Sequence, residues 1–272
     1  MKKNVHFIVW GLALLLGACS KTKQDAPAKG KRIAAVFIDN ILFERYNYRP
    51  DGKIDRYDYY KPDGSVQFTW KYSYDAAGVL SSVKSFLADG TPKTEQVFMK
   101  DASGRIERSR FINYGIFAQD SKYEYDDAIP ARVTRIRDYD TTGVPTLVRE
   151  YSYNGGLLTD RKVLTVNGAV LELLNESQFS FPADPELLAR HRETVSSLSF
   201  YEPDSWLVYS VSSQVLYASY QGALKTYDNI YECVGRVTDA QKYTLSVDYK
   251  IKYLIPAQPD KLTTYRYEYV DL

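Results

Sequence analysis

Residues 72–80 read Tyr-Ser-Tyr-Asp-Ala-Ala-Gly-Val-Leu, an aromatic pair followed directly by an Asp/Gly turn. Large apolar and polar residues alternate from Val66 to Tyr74, and a period of two is typical of a strand with one apolar face. In the turn, the Asp75 carboxylate can accept backbone N–H bonds, and Gly78 supplies the positive φ that closes a bulged hairpin. The segment therefore predicts a strand, a tight turn and the start of a second strand.

The same aromatic pair returns along the chain at a nearly constant spacing. Its copies are Tyr46/Tyr48, Tyr72/Tyr74, Tyr123/Tyr125, Tyr151/Tyr153 and Phe179/Phe181, and Phe98 with Lys100 fills the slot after the second copy. Successive first positions lie 26, 26, 25, 28 and 28 residues apart. Turns rich in Asp, Asn and Gly fall on this period and on its half, so each repeat predicts one hairpin and the turn to the next.

Consecutive hairpins without long crossovers predict an all-β fold, an antiparallel up-and-down meander. We expect about fifteen strands, enough for the sheet to curl or to close like a barrel under its own twist. Regular repeats cover residues 33–182, and residues 183–272 continue the sheet less regularly. One short helix is expected near residues 184–192, with Asp184 as its N-cap and Pro185 at its first position.

The strand predicted over residues 53–60 carries charge on both faces. With strict alternation, one row holds Lys53 and Asp55, and the other holds Ile54, Arg56 and Asp58. An integral outer-membrane barrel needs an uncharged lipid-facing row on every strand. The pattern therefore disfavours such a barrel and predicts a sheet that is wet over much of its area.

The pattern Tyr-x-Tyr-Asp-x-x-Gly-x-Leu at residues 72–80 resembles the YD repeat of the Rhs family. More closely, residues 32–54 and the repeats that follow, up to residue 182, are similar to uncharacterised lipoproteins of Bacteroidota described as having a porin-like fold. The chain is too short to form the toxin-enclosing cocoon of Rhs proteins, and it lacks their self-cleaving core. The resemblance therefore implies a β-hairpin fold and an envelope location, and it implies no activity.

The N-terminus has the layout of a lipoprotein signal peptide. Lys2 and Lys3 precede an apolar run over residues 7–16, which is too short to cross a hydrocarbon core of ~30 Å as a permanent helix. The run leads into Leu-Gly-Ala-Cys at residues 16–19, which resembles a lipobox. We predict a signal peptide over residues 1–18, cleavage between Ala18 and Cys19, lipid on Cys19, a polar tether over residues 19–32 and one domain over residues 33–272.

Charge and cysteine content narrow the range of partners. The cleaved segment holds two of the 35 basic residues and none of the 34 acidic ones, so the mature net charge is −1. A nearly neutral chain has no basic excess to collect phosphates, which argues against nucleic acid as a partner. Once Cys19 carries lipid, no intramolecular disulfide can form, and Cys233 is predicted to be a small buried residue of a strand.

The sequence predicts no metal site and no cofactor. His191 is the single histidine after cleavage, and no Gly-x-Ser-x-Gly, P-loop or Cys/His cluster occurs. We interpret His191 as a cation near the end of the predicted helix, with an anion site beside Arg190 and Arg192 as the alternative. The chain is predicted not to be an enzyme, although the two carboxylates of a glycosidase could come from any part of a sheet.

The prediction for function is a non-catalytic binding or interaction module, anchored by lipid to the outer membrane on its periplasmic or its surface side. The alternatives are a carbohydrate-active enzyme that uses a carboxylate pair and a structural accessory of an outer-membrane assembly. The expected partners are the membrane, through the lipid, and a glycan or an envelope protein. Most of the 25 tyrosines are expected in cross-strand ladders and core, and the candidate binding aromatics are Trp70, Tyr72, Tyr74 and Trp206.

Overall fold

Successive antiparallel strands hydrogen-bond to one another in the computed structural model, which describes residues 30–130, 132–196, 213–218, 229–253 and 258–271. Within these residues there are sixteen strands and one helix: β1 Lys31–Ile38, β2 Ile41–Tyr48, β3 Ile54–Tyr60, β4 Val66–Tyr74, β5 Leu80–Leu87, β6 Pro92–Lys100, β7 Ile106–Asn113, β8 Ile116–Tyr125, β9 Val133–Tyr139, β10 Pro145–Asn154, β11 Leu157–Asn167, β12 Val170–Ser180, α1 Pro185–Ser196, β13 Ser213–Ala218, β14 Asn229–Thr238, β15 Thr244–Tyr253 and β16 Gln258–Asp271. The predicted signal peptide, Cys19 and Trp206 lie outside the described residues.

The first and last strands of the sheet pair with each other. Each strand pairs with its successor, and β16 also pairs with β1, where Tyr267 lies opposite Val36 and Tyr269 lies opposite Ile33. The sixteen described strands therefore form a closed barrel, which confirms the predicted up-and-down meander. The first strand begins at Lys31, two residues before the start predicted for the domain.

One turn geometry recurs in seven of the described hairpins. In residues 75–79 the Gly78 N–H donates to the Asp75 carbonyl and the Asp75 N–H donates to the Val79 carbonyl, both at 2.9 Å, while Gly78 has a φ of +74°. This is a type I turn closed by a bulge at the glycine. The same pair of bonds occurs in residues 49–53, 61–65, 87–91, 101–105, 140–144 and 239–243.

The core lies on the inner wall of the barrel. Cross-strand partners share a face of a sheet, so the register Tyr46–Tyr57–Trp70–Ser85–Thr94 follows one face from β2 to β6. The buried apolar residues of this wall form one cluster: Ile33, Val36, Tyr46, Ile54, Leu80, Val83, Phe98, Ile106, Tyr123, Ile136, Tyr151, Leu158, Phe179, Val247, Tyr249 and Tyr267. Many of them lie near the tyrosine end, the name used here for the barrel end at which β2, β4, β8 and β10 finish.

The second tyrosine of the repeated pair closes the tyrosine end by a hydrogen bond. Its hydroxyl donates to a backbone carbonyl at or near the start of the preceding strand. Four such bonds come from the repeated pair: Tyr48 to Ile33 at 2.6 Å, Tyr74 to Ile54 at 2.8 Å, Tyr125 to Ile106 at 2.7 Å and Tyr153 to Val133 at 2.7 Å. Tyr269 of β16, outside the repeat, makes the same kind of bond to Thr244 at 2.7 Å. In the slot of Phe98 and Lys100, the Lys100 ammonium donates to the Val79 carbonyl at 3.3 Å.

A bulge in β3 changes the facing expected from strict alternation. Asn47 pairs with Arg56 and Tyr48 pairs with Ile54, so Asp55 is skipped in the ladder. Ile54 therefore lies on the inner face with Tyr57 and Tyr59, not in one row with Arg56 and Asp58. The prediction that both faces of this strand carry charge was wrong, because one extra residue shifts the alternation by one position.

The outer wall carries charged pairs around much of the barrel. Glu124 contacts Arg135 and Arg137 at 3.3 and 2.6 Å, and Arg135 also contacts Glu150 at 2.6 Å. Other outward pairs include Arg56–Asp58, Lys84–Glu95, Lys162–Glu176 and Lys252–Glu232. This wall confirms the prediction of a charged sheet surface.

The predicted helix is present as α1. Asp184 caps it, because its carboxylate accepts the N–H groups of Glu186 and Leu187 at 2.9 and 3.2 Å. Lys242 of the β14–β15 turn lies 3.3 Å from the Asp184 carboxylate, and the Arg190 side chain donates to the Gln241 carbonyl at 3.1 Å. These contacts hold α1 at the tyrosine end. Among the described residues, no helix has the length and the hydropathy that spanning a membrane requires.

Candidate functional site

Half-buried aromatic rings line the inner wall on β2, β3 and β4. The aromatic platform, as we call them, consists of Phe43, Tyr57, Tyr59, Phe68 and Trp70. Tyr57 and Trp70 stack with ring centroids 4.5 Å apart and planes 3° apart, and Phe68 meets Trp70 edge to face at 5.6 Å. Tyr59 touches both Phe43, at 4.5 Å, and Trp70, at 6.5 Å. Each ring packs against its neighbour, so the five rings form one continuous cluster.

The candidate binding aromatics proposed from the sequence lie in different surroundings in the structure. Trp70 belongs to the platform, and Tyr72 lies next to it, with its ring 6.4 Å from Tyr57. Tyr74 has a structural role. Its hydroxyl donates to the Ile54 carbonyl, and the cations of Arg49 and Lys53 lie 5.1 and 5.6 Å from its ring centre. Trp206 lies outside the described residues.

Polar side chains continue the inner wall beyond the platform. This polar belt runs across β5 to β12 and consists of Ser85, Thr94, Gln96, Ser109, Ser121, Asp138, Arg149, Arg161 and Ser177. Its members are joined by hydrogen bonds, of which Gln96 to Ser109 is 3.0 Å and Arg161 to Ser177 is 3.3 Å. Buried polar groups need such partners, so the belt is a built feature of the wall.

An ion pair lies within the polar belt. One Nη of Arg149 contacts both carboxylate oxygens of Asp138, at 2.7 and 2.9 Å, and the Ser121 hydroxyl donates to the same carboxylate at 2.7 Å. Asp138 is only 2% exposed. A buried carboxylate is tolerated in a folded protein only when it is paired and hydrogen-bonded. Here its partners join β8, β9 and β10 on the inner wall.

Sequence reasoning missed the polar belt and one cation beside the platform. The Lys93 ammonium lies 3.9 Å from the centre of the Phe68 ring. Lys93 is the skipped residue of a bulge, because Ser85 pairs with Thr94 while Phe86 pairs with Pro92. The position of such a residue depends on the register of two strands, and no motif in the sequence signals it.

A cleft at the tyrosine end collects several carboxylates. It encloses about 440 Å³ and is lined by Asp101, Arg105, Glu107, Tyr123, Tyr125, Asp126, Asp127 and Pro130. Hydrogen bonds from Ser103 and Arg105 hold the pKa of Asp101 well below its usual range. A general acid needs a raised pKa instead, so Asp101 is not suited to that role.

Cys233 and His191, the remaining candidates from the sequence, do not form part of a recognisable site within the described residues. Cys233 lies on β14 as predicted but is only half-buried, which corrects the expectation of a fully buried residue, and its thiol lies 3.5 Å from the Gly235 carbonyl. The backbone of His191 belongs to α1, while its side chain lies outside what the structure describes. No group of three potential His, Cys, Asp or Glu ligands comes together among the described residues.

Comparison with known proteins identifies the fold. Neither protein-family models nor curated proteins gave a match. Among solved structures, a porin-like protein from Bacteroides uniformis matches with a TM-score of 0.54 and 11% identity, over 88% of this chain and 96% of that chain. A porin-like protein from Bacteroides vulgatus matches with a TM-score of 0.49 and 13% identity, over 89% and 100% of the two chains. A TcdB2–TccC3–Cdc42 structure matches with a TM-score of 0.31 and 9% identity, over 82% of this chain and 13% of that chain. The first of these likenesses shows a shared fold.

Proposed function

We propose that this chain is a lipid-anchored, non-catalytic binding protein of the cell envelope that holds its ligand on the inner wall of the barrel. The observation that carries this proposal is the half-buried aromatic platform, which adjoins a hydrogen-bonded polar belt on the same wall. Aromatic side chains beside a few placed polar groups are the usual lining of a ligand-binding site.

The envelope location rests on the N-terminus and on the fold. The lipobox-like residues 16–19 follow a short apolar run, and lipid on Cys19 would bind a membrane firmly once two or three acyl chains are attached. The barrel fold is shared with a porin-like protein of Bacteroides uniformis. Lys31, which pairs with Asp239 at 2.6 Å, brings the chain into the barrel at the tyrosine end, so the anchor would be attached to that end.

The outer wall favours water over lipid as its surroundings. The Arg135 and Arg137 pairs with Glu124, and the Lys252 pair with Glu232, all lie on the outward face. An Arg or Lys side chain at the bilayer midplane costs ~2–4 kcal/mol when it faces lipid. The barrel is therefore proposed to stand in an aqueous compartment, with the acyl chains on Cys19 as its attachment.

A labelling experiment tests whether the inner wall binds the ligand. Thr94 lies on the inner face and Glu95 on the outer face of the same strand, where Glu95 pairs with Lys84 at 3.1 Å. In a soluble form without Cys19 and with Cys233→Ser, Thr94→Cys and Glu95→Cys would each be labelled with one bulky maleimide after folding. Binding of defined oligosaccharides and peptides is then measured by calorimetry.

We expect one ligand class to bind, the label at residue 94 to abolish its binding and the label at residue 95 to leave it unchanged. Equal effects of the two labels would contradict an inner-wall site. Conversion of the bound ligand into products would contradict the non-catalytic proposal.

A further inference from the structure

The geometry points to an acidic oligosaccharide as the ligand of the aromatic platform, with a sugar ring packed on Trp70 and Phe68 and its carboxylate paired with Lys93. This inference rests on the proposed function, because it names the ligand class of the same wall.

The rings of the platform are held in place before any ligand arrives. Tyr46 stacks on Tyr57 at 5.4 Å, Tyr57 stacks on Trp70 at 4.5 Å, and Phe68 supports the indole edge to face. A flat ring that is already fixed loses little entropy on binding. The C–H face of a pyranose is flat and weakly apolar, so it fits such rings.

Small hydroxyl-bearing residues adjoin Trp70 on the next strands. Its partner on β5 is Ser85, and the partner of Ser85 on β6 is Thr94. Ser85 is buried and its hydroxyl bonds to Thr94, while Thr94 and Gln96, two residues further along β6 on the same face, are half-buried. A threonine hydroxyl and a glutamine amide can both donate and accept hydrogen bonds, so these two side chains suit the hydroxyl groups at the rim of a sugar.

The positive charge of Lys93 next to the platform favours an acidic sugar over a neutral one. Lys93 lies over Phe68 on the β6 side, 3.9 Å from the ring centre. The acid on the other side is Glu44 of β2, which is 8% exposed and accepts a hydrogen bond from the Tyr46 hydroxyl. The accessible charge at the platform is therefore the ammonium, and a sugar carboxylate would pair with it.

Matched ligands and matched variants test the inference. The probes are an oligogalacturonide and the same oligosaccharide with its carboxyl groups reduced to alcohols. Lys93→Gln removes the cation, and Lys71→Gln is its control, because Lys71 lies over Phe86 on the outer wall at 5.1 Å in the same kind of contact. Trp70→Ala removes the ring. Fluorescence of Trp70 in a Trp206→Phe background reports binding by the lysine variants without a change at the platform, and calorimetry reports binding by Trp70→Ala.

We expect the acidic probe to bind and to shift the Trp70 emission, and Lys93→Gln to raise its Kd about tenfold, which corresponds to about 1.4 kcal/mol. Trp70→Ala should weaken both probes, and Lys71→Gln should change neither. Equal affinity for the acidic and reduced probes, or equal effects of the two lysine variants, would overturn the inference. If Trp70→Ala binds normally while the label at residue 94 abolishes binding, the ligand class is wrong and the inner-wall function stands.

Discussion

At the scale of single residues, the repeated aromatic pair has two separate tasks. The first member packs in the core, as Tyr46, Tyr123 and Tyr151 do at 4, 7 and 5% exposure. The second member donates its hydroxyl to a carbonyl of the neighbouring strand, and Lys100 does the same with its ammonium. A lysine can replace a tyrosine there because both side chains end in a donor that reaches this carbonyl. Phe181 has no hydroxyl, so this bond belongs to the tyrosine and lysine copies of the pair and not to every copy.

The buried tyrosine hydroxyls predict that the barrel loses stability in alkali. Desolvation raises the pKa of Tyr125 to about 12, above the ~10 of an exposed tyrosine. The folded state therefore favours the neutral phenol, so this contribution is fully present below about pH 10 and is lost as the pH rises toward 12. We expect the urea midpoint to fall over this range and Tyr125→Phe to reduce the fall. A pH profile unchanged by Tyr125→Phe, relative to the exposed Tyr114→Phe, would show that this hydroxyl is not responsible.

Backbone conformation at the turns can be tested at Gly78 and Gly64. Both have positive φ, +74° and +81°, but a Cβ at residue 78 would meet the Lys53 ammonium at 2.5 Å and one at residue 64 would meet nothing within 4 Å. Since the φ penalty is common to both, Gly78→Val and Gly64→Val should each destabilise the protein by ~1 kcal/mol or more. Ala77→Ser should be nearly neutral in the same urea titration. A neutral Gly64→Val would mean that the contact with Lys53, not φ, sets the cost.

At the scale of elements, the sequence predicts the hairpins better than it predicts which side of the sheet each side chain lies on. The Asp/Gly turns mark where strands end, so the meander follows from them directly. Bulges beyond the turn glycines do not have such a signal. Those at Asp55 and Lys93 were missed, and with them the side of the sheet on which Ile54 lies and the cation beside Phe68. The polar belt was missed for the same reason, because its serines line up only once the register of every strand is known.

The β14–β15 turn shows how one element can depend on another. Lys242, at a φ of +66°, takes the place that glycine has in the other turns of this type, and its ammonium contacts Asp184 at the start of α1. Next to it, the Lys31 ammonium and the Arg190 guanidinium lie over the ring of Tyr243, each 5.3 Å from the ring centre. The start of β1, helix α1 and this turn therefore stabilise one another.

The N-cap of α1 provides a test of this coupling. Backbone N–H bonds from Leu187 and Glu186, with Lys242 nearby, hold the pKa of Asp184 below its usual value. The cap is therefore present above the ordinary aspartate pKa of ~3.9 and is lost as the pH falls through the lower folded value. At neutral pH, Asp184→Ala should speed amide exchange at residues 186–190, Asp184→Asn should largely preserve protection, and Glu186→Gln should change little. Equal exchange in all three variants would mean that the cap does not hold the helix.

At the scale of the whole molecule, the inner and outer walls of the barrel carry different kinds of side chain. Aromatic rings, the hydrogen-bonded belt and the core lie inside, and ion pairs such as Lys84–Glu95 and Arg135–Glu150 lie outside. The sequence indicated the charged sheet, because charges are frequent in its strands. It could not indicate closure, because the pairing of β16 with β1 joins residues more than 200 positions apart, and no local pattern encodes such a contact.

This division predicts that fold and anchorage can be separated at Cys19. Residues 20–30 are polar and without apolar periodicity, so they should contribute little to the barrel, while acyl chains worth ~0.8 kcal/mol per buried CH₂ provide the membrane affinity. Replacing residues 1–19 with an ordinary secretory signal should give a soluble periplasmic protein that is rich in β-structure by circular dichroism and unfolds cooperatively. The lipidated parent, labelled with palmitate, should sediment with membranes. If the unlipidated form still sediments with outer membranes after a high-salt wash, the charged outer wall does not keep the barrel out of lipid, and the strands themselves must contact the bilayer.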